Sequence, residues 1–207
     1  MNVPLIDLGR QHGPIKTELF QAFERVFDKS GFVLGDEVEG FEDEIASYTG
    51  VKHAIGVSNC TNALLLSLKV LGVGEGDEVI TTPFSFIATA EAIALAGARP
   101  VFCDIDPATY NIDADGIAER ITDKTKAILP VHLYGQPARI DTIAGIARRQ
   151  GCKVVEDAAQ ALGARCRGRM AGSFGDAGCI SFYPTKNLSA LGDAGMIMTN
   201  DDGIDGV

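Results

Sequence analysis

The sequence predicts an α/β fold: a mostly parallel sheet lying between two layers of helices. Three observations carry this expectation. From residue 54 onward, short apolar runs rich in β-branched residues alternate with helix-length stretches, the rhythm of consecutive βαβ units. Some of these runs, such as Ala127-Ile128-Leu129, are apolar at every position, as a strand covered on both faces requires. Glycines follow the helical stretches at Gly72, Gly97 and Gly151, where a residue free to turn left-handed ends a helix.

Two helices precede the alternation. Ile15, Leu19, Ala22, Phe23, Val26 and Phe27 recur at helix spacing, with Gly31 as the stop. Val38, Phe41, Ile45 and Tyr48 form the stripe of a second, which Gly50 ends. The strands are then expected at Ala54–Val57, Glu78–Thr82, Pro100–Asp104, Lys126–Val131, Lys153–Glu156, Cys179–Phe182 and Met196–Thr199. The intervening helices fall at Thr61–Leu71, Ser85–Ala96, Asp113–Ile121 and Asp141–Gln150.

The chain of 207 residues is one domain by length and long enough for a sizeable core. Hydrophobic residues make up 46% and charged residues 22%, a globular balance. The net charge of -10 argues against a protein that coats nucleic acid, which would need a basic face. Five scattered cysteines with no Cys-x-x-Cys pair suggest neither a disulfide framework nor a zinc site, and Cys103 and Cys179 read as small core residues. No apolar run reaches the roughly 18 residues of a membrane span. Met1 to Asp7 lacks the pattern of a secretory signal, so a reducing, cytoplasmic setting is expected. The last strand is followed by Asp201-Asp202-Gly203 and no closing element, as in a polypeptide cut short.

Ligands of open α/β sheets bind beyond the carboxyl ends of the strands, so the polar residues there carry the functional reading. Ser58-Asn59-Cys60-Thr61-Asn62 lies between a strand and an apolar helix, where free amides make a phosphate site. Asp157, in Glu156-Asp157-Ala158-Ala159-Gln160, ends a strand, with Gln160 one helical turn on. A carboxylate there suits the pyridine nitrogen of pyridoxal phosphate, which must stay protonated to accept electrons. Lys186 follows an apolar strand in a Pro-containing turn, a setting for a Schiff base, whose amine must lose its proton to attack an aldehyde. Phe86, in Pro83-Phe84-Ser85-Phe86, is placed to stack on a flat ring. Arg165, Arg167 and Arg169 alternate around Gly168 and would suit a diphosphate. Taken singly, these features read first as a helix cap, a solvated turn, a surface lysine and core phenylalanines. Their conjunction at strand ends is what points to a cofactor site.

The ordered motifs Gly76-Asp77-Glu78-Val79-Ile80-Thr81-Thr82-Pro83, Pro100 to Pro107, Pro130-Val131-His132-Leu133-Tyr134-Gly135, Val155 to Gln160 and Ser181 to Lys186 resemble the DegT/DnrJ/EryC1/StrS family of sugar aminotransferases. The resemblance runs from Ile6 to Asp201. It implies the large domain of a fold-type I pyridoxal-phosphate (PLP) enzyme, three-layer αβα, filling residues 1–207, with the small C-terminal domain of the family absent. It implies that Lys186 carries the cofactor and shuttles protons, that Asp157 pairs with the pyridinium, that Gln160 bonds the phenolic oxygen and that Phe86 stacks on the ring. Ser181, Cys60 and Thr61 would hold the phosphate. The implied reaction passes an amino group from glutamate to a nucleotide-linked keto sugar, in a homodimer. The stretch around Tyr183 to Gly195 is most similar to members acting at carbon 3 of a 3-keto-6-deoxyhexose. Cys60 stands where glycine is common and Asn62 where an acidic residue is common. The alternatives are a PLP-binding paralogue or fragment with a regulatory or catalytically incomplete role, and a PLP-free doubly wound nucleotide binder. Against the latter, no Gly-x-Gly-x-x-Gly follows the first strand.

Overall fold

The computed structural model describes residues 3–205. Met1, Asn2, Gly206 and Val207, part of the domain expected over residues 1–207, lie outside the described residues. In chain order the elements are α1 (Leu8–His12), α2 (Lys16–Lys29), α3 (Asp36–Thr49), β1 (His53–Val57), α4 (Cys60–Val70), β2 (Glu78–Thr81), α5 (Ala88–Leu95) and β3 (Arg99–Phe102). There follow β4 (Thr125–Leu129), α6 (Ile140–Gln150), β5 (Lys153–Asp157), β6 (Arg165–Cys166), β7 (Arg169–Met170), β8 (Ala177–Ser181), β9 (Gly195–Thr199) and α7 (Asp202–Asp205). None of the described helices is long and apolar enough to cross a membrane.

Seven strands form one sheet in the order β1-β9-β8-β5-β4-β2-β3. The pairs from β8 to β3 are parallel, and β9 runs antiparallel to both of its neighbours. The mostly parallel mixed sheet expected from the sequence is therefore present, with one strand reversed. The two-residue period of the strands divides the core. Val79, Ala127, Leu129, Val155, Cys179 and Ile197 pack on one face with residues of α4 and α5. Ile80, Ile128 and Val154 face the other way towards α6, while Ile180, Met196 and Met198 meet α3 on that same face. This is the three-layer arrangement, and Cys103 and Cys179 sit in its core.

Two expectations need correction. The segment Asp113–Ile121 is not a helix; only a 3-10 turn at Ala118–Arg120 forms. Asp113 Oδ1 instead accepts the Asp115 N–H, and the Asp113 N–H donates to Asp104 O. Ile112, Ala114 and Ile117 reach the core without helical spacing. The helix expected from Ser85 begins only at Ala88, leaving residues 85–87 irregular beside the strand ends. The first helix forms, but its apolar stripe is not buried: no residue of α2 is buried, and Phe20, Phe23 and Phe27 each stay more than 60% exposed. Spacing encodes a face, but only a neighbour can cover it.

Candidate active site

The strand ends converge as the topology requires. β5, β8, β4 and β2 deliver their carboxyl ends to one edge of the sheet, where α4 also begins. A cavity of about 630 Å³ opens there. Cys60, Thr61, Phe86, Asp157, Gln160, Ser181 and Lys186, the seven residues expected to hold the cofactor, line it, together with Ser85 and Tyr183. The three arginines do not. Arg167 pairs with Asp141 at 2.8 Å, Arg165 bonds Gly168 O, and Arg169 bonds Ser173 O while lying over the Phe174 ring. They belong to the tight β6–β7 hairpin, as in the solvated-turn reading.

Asp157 is the buried charge of the site, 5% exposed. Its Oδ2 accepts from Thr89 Oγ1 at 2.8 Å and its Oδ1 from the Ala159 N–H at 3.1 Å. Thr89 spends its one proton on the carboxylate, so Ser85 Oγ, 2.9 Å away, donates to Thr89. Burial pushes the Asp157 carboxyl above its usual range; the Thr89 and Ala159 bonds, and then the nearby His132 and Lys186, oppose that shift without cancelling it. Nothing in the sequence alone singles out Thr89. Its only signal was a hydroxyl within the alanine-rich opening of α5.

The opening of α4 lines the cavity with a helix start. Asn59 caps the helix by accepting the Asn62 N–H at 2.9 Å, and Asn62 Nδ2 donates to Ser58 Oγ at 2.7 Å. Among the described residues, no protein acceptor meets the N–H of Cys60 or Thr61. Cys60 lies in α4 without a positive φ, so the cysteine that replaces the common glycine brings no backbone strain. Burial pushes its thiol well up, and the nearby Asp157 charge adds to this, which keeps it a poor nucleophile beside Lys186.

Gly195 makes this geometry possible. It pairs with Val57 on one side and Ser181 on the other. A Cβ there would fall 2.6 Å from the Cys60 nitrogen and closer still to the Asn59 carbonyl carbon. Gly195→Ala is therefore expected to push the start of α4 away and lower stability by about 1–3 kcal/mol, as overpacking does. Thermal melting and a phosphate-competition titration would check it; unchanged values in both would refute the close approach. In the sequence Gly195 stands out only within a family motif.

Lys186 is half-buried, in a turn closed by its own N–H to Tyr183 O at 2.8 Å. Asn187 Nδ2 ties the next residue to Leu162 O at 2.9 Å. Gln160 accepts the Tyr134 N–H on its Oε1 at 2.7 Å, which fixes its amide and leaves Nε2 as the free donor. Tyr134 has a left-handed backbone, φ 54°, in making this contact. Ser181 is buried, with its Oγ accepting the Tyr183 N–H at 3.3 Å. Phe86 is 72% exposed at the rim.

Comparison with known proteins fits this layout. A pleiotropic regulatory protein of Geobacillus stearothermophilus is 54% identical over 202 residues, covering 98% of this chain and 54% of that protein. The UDP-N-acetyl-3-dehydro-alpha-D-glucosamine 3-aminotransferase of Acidithiobacillus ferrooxidans is 46% identical over 96% of this chain and 54% of its own length. The crystal structure of S. venezuelae DesV superposes with a TM-score of 0.96 at 42% identity, over 99% of this chain and 55% of that one. The chain thus spans about half the length of the curated relatives it matches. The model of the DegT/DnrJ/EryC1/StrS aminotransferase family matches residues 14–206, and the chain belongs to that family.

Proposed function

We propose that this chain is the cofactor-holding part of a PLP-dependent sugar aminotransferase. The observation that carries the reading is a single cavity lined by Lys186, the buried Asp157 and the first residues of α4, Cys60 and Thr61. The fit is specific. The cradle beneath the amides would be filled by a Cβ at Gly195, and the raised Asp157 carboxyl calls for a cation. The amides, with the Ser181 and Thr61 hydroxyls, suit a phosphate at a helix start. Asp157 would hold the pyridinium proton, Gln160 Nε2 would donate to the phenolic oxygen, and Phe86 would cover the ring face. When bound, PLP supplies an electron sink for the carbon losing or gaining the amino group.

The rest of the chemistry falls to the chain. Lys186 Nζ would hold the cofactor covalently and, as a free amine, would take a proton from the donor's α-carbon and give one to the sugar carbon that takes the nitrogen. A second cavity of about 470 Å³ adjoins the first and shares Gln160, Thr185 and Lys186 with it. We assign it to the acceptor, a nucleotide-linked keto sugar with glutamate as donor. The name of the Acidithiobacillus relative supports a ketone at carbon 3; the motif resemblance adds the 6-deoxyhexose expectation. We infer a homodimer, supported by the uncovered apolar face of α2 and the exposed Phe86 and Ile87. The cytoplasm is the proposed compartment, since the free thiol of Cys60 lines the site.

The test is incubation with PLP, borohydride reduction and peptide mapping, followed by amino transfer from glutamate to UDP- and dTDP-linked 3-keto sugars. Label on Lys186 with transfer supports the reading. Label without transfer to any acceptor would favour a second reading, a cofactor-binding regulator, which the name of the Geobacillus relative brings forward. No label at all would refute both.

A further inference from the structure

Behind Asp157, on the opposite face of β5, lies a buried ionic cluster that the proposed chemistry does not touch. Glu156 and His132 are both wholly buried, at 0% exposure. Glu156 Oε1 accepts from the N–H groups of Phe174 at 2.6 Å and Gly175 at 2.7 Å, and Oε2 accepts from Gly172 N–H at 2.9 Å. His132 Nε2 lies 2.8 Å from the same Oε2. His132 Nδ1 is 3.0 Å from the Ala138 nitrogen, whose N–H can only donate. The ring proton therefore sits on Nε2 and points at Glu156. With four donors around it, Glu156 has no room for a proton of its own and is a carboxylate.

The same histidine grips Asp157 through the backbone. Its N–H donates to Asp157 O at 2.9 Å, and the Asp157 N–H donates to Pro130 O at 2.9 Å. Beyond the last regular pair of β4 and β5, this bridge is what aligns the two strand ends. Main chain and ring of His132 thus hold consecutive residues of β5, one by its carbonyl and the other by its carboxylate.

We propose that His132 is a positioning residue for the cofactor carboxylate: through Glu156 it fixes the end of β5, so that Asp157 on the other face keeps its aim into the cavity. This rests on the reading of Asp157 as the pyridinium partner. A buried carboxylate deprived of one donor seeks a replacement, and the strand end that carries it then shifts both faces together.

Two substitutions divide the contacts of His132 in the holoenzyme. Asparagine places an oxygen near the Nδ1 position and keeps the Ala138 bond but does not reach Glu156. Glutamine places a donor near the Nε2 position and keeps Glu156 but drops Ala138. PLP affinity, the position of the visible absorption band and the melting temperature of the cofactor-free protein are measured for His132→Asn, His132→Gln and Asp157→Asn. The expected result is a loss of PLP affinity of about tenfold or more in His132→Asn, with a displaced band, from one missing bond to a buried charge. His132→Gln should recover both, even where the two variants melt equally early. Equal PLP affinities and bands in the two histidine variants, with only melting altered, would overturn the proposal and leave His132 a packing residue. If His132→Asn does not fold, Glu156→Gln, which keeps the shape and one acceptor, stands in: wild-type PLP affinity there overturns the proposal, a tenfold loss supports it. Asp157→Asn separates the layers. Should it bind PLP like wild type, the site reading itself fails; should it alone weaken PLP, the positioning role fails and the site reading stands.

Discussion

Lys186→Ala is expected to abolish the visible band formed with PLP and the borohydride-fixed label, and to slow amino transfer by about a thousandfold or more, since both the covalent link and the proton carrier are lost. The change should leave the fold alone. The turn around Lys186 is closed by backbone and by Asn187, not by the lysine side chain. Its melting temperature should therefore stay near wild type, as for substitutions away from core contacts. Lys186→Arg should fail as completely, because a guanidinium stays protonated and cannot attack an aldehyde. Absorbance scans and single-turnover assays would decide. A retained band in the alanine variant, with label moved to no other lysine, would remove Lys186 from its proposed role.

Asp157→Asn is expected to act in opposite directions on cofactor and fold. PLP affinity and transfer should fall, the latter by about a hundredfold or more, as when a preorganised charge is removed from a reacting centre. The cofactor-free protein should not be destabilised. Asparagine can accept the Ala159 N–H and donate to Thr89, whose hydroxyl can turn to accept. The sign of the pH effect follows from the raised carboxyl. In the folded cofactor-free state burial favours neutral Asp157, so its contribution to stability is fully present below the ordinary value of 3.8 and is lost as pH rises through the folded value. At neutral pH the asparagine variant should accordingly melt above wild type, and the gap should close as pH falls towards 4. Melting curves of the cofactor-free proteins across that range would check it. A variant that melts below wild type at neutral pH would mean that the Thr89 and Ala159 bonds outweigh the burial of the charge.

Much of the site was legible because chemistry and topology constrain each other. Strand ends of a parallel sheet lie on one edge, so Asp157, Ser181 and the residues before α4 were bound to be neighbours once the strands were placed. Lys186 was readable as a lysine immediately beyond such an end. Thr89 was not, because a threonine in an apolar helix carries no periodic signal, and its role depends on the first turn of α5 coming within hydrogen-bond reach of the end of β5. Nor was Gly195, whose need to be glycine comes from a peptide more than 130 positions earlier in the chain.

By itself the sequence determined the alternation of strands and helices, the apolar faces of the sheet and the family, because these rest on local spacing and ordered motifs. Only the tertiary structure decided which strand is reversed, which oxygen of Asp157 meets which donor, and that the carboxylate of Glu156 faces His132 and three amides rather than solvent. It also left the phenylalanine stripe of α2 uncovered. The reason is physical: periodicity fixes how a side chain points relative to its own backbone, whereas burial, pairing and charge state depend on what another part of the chain brings within about 3 Å.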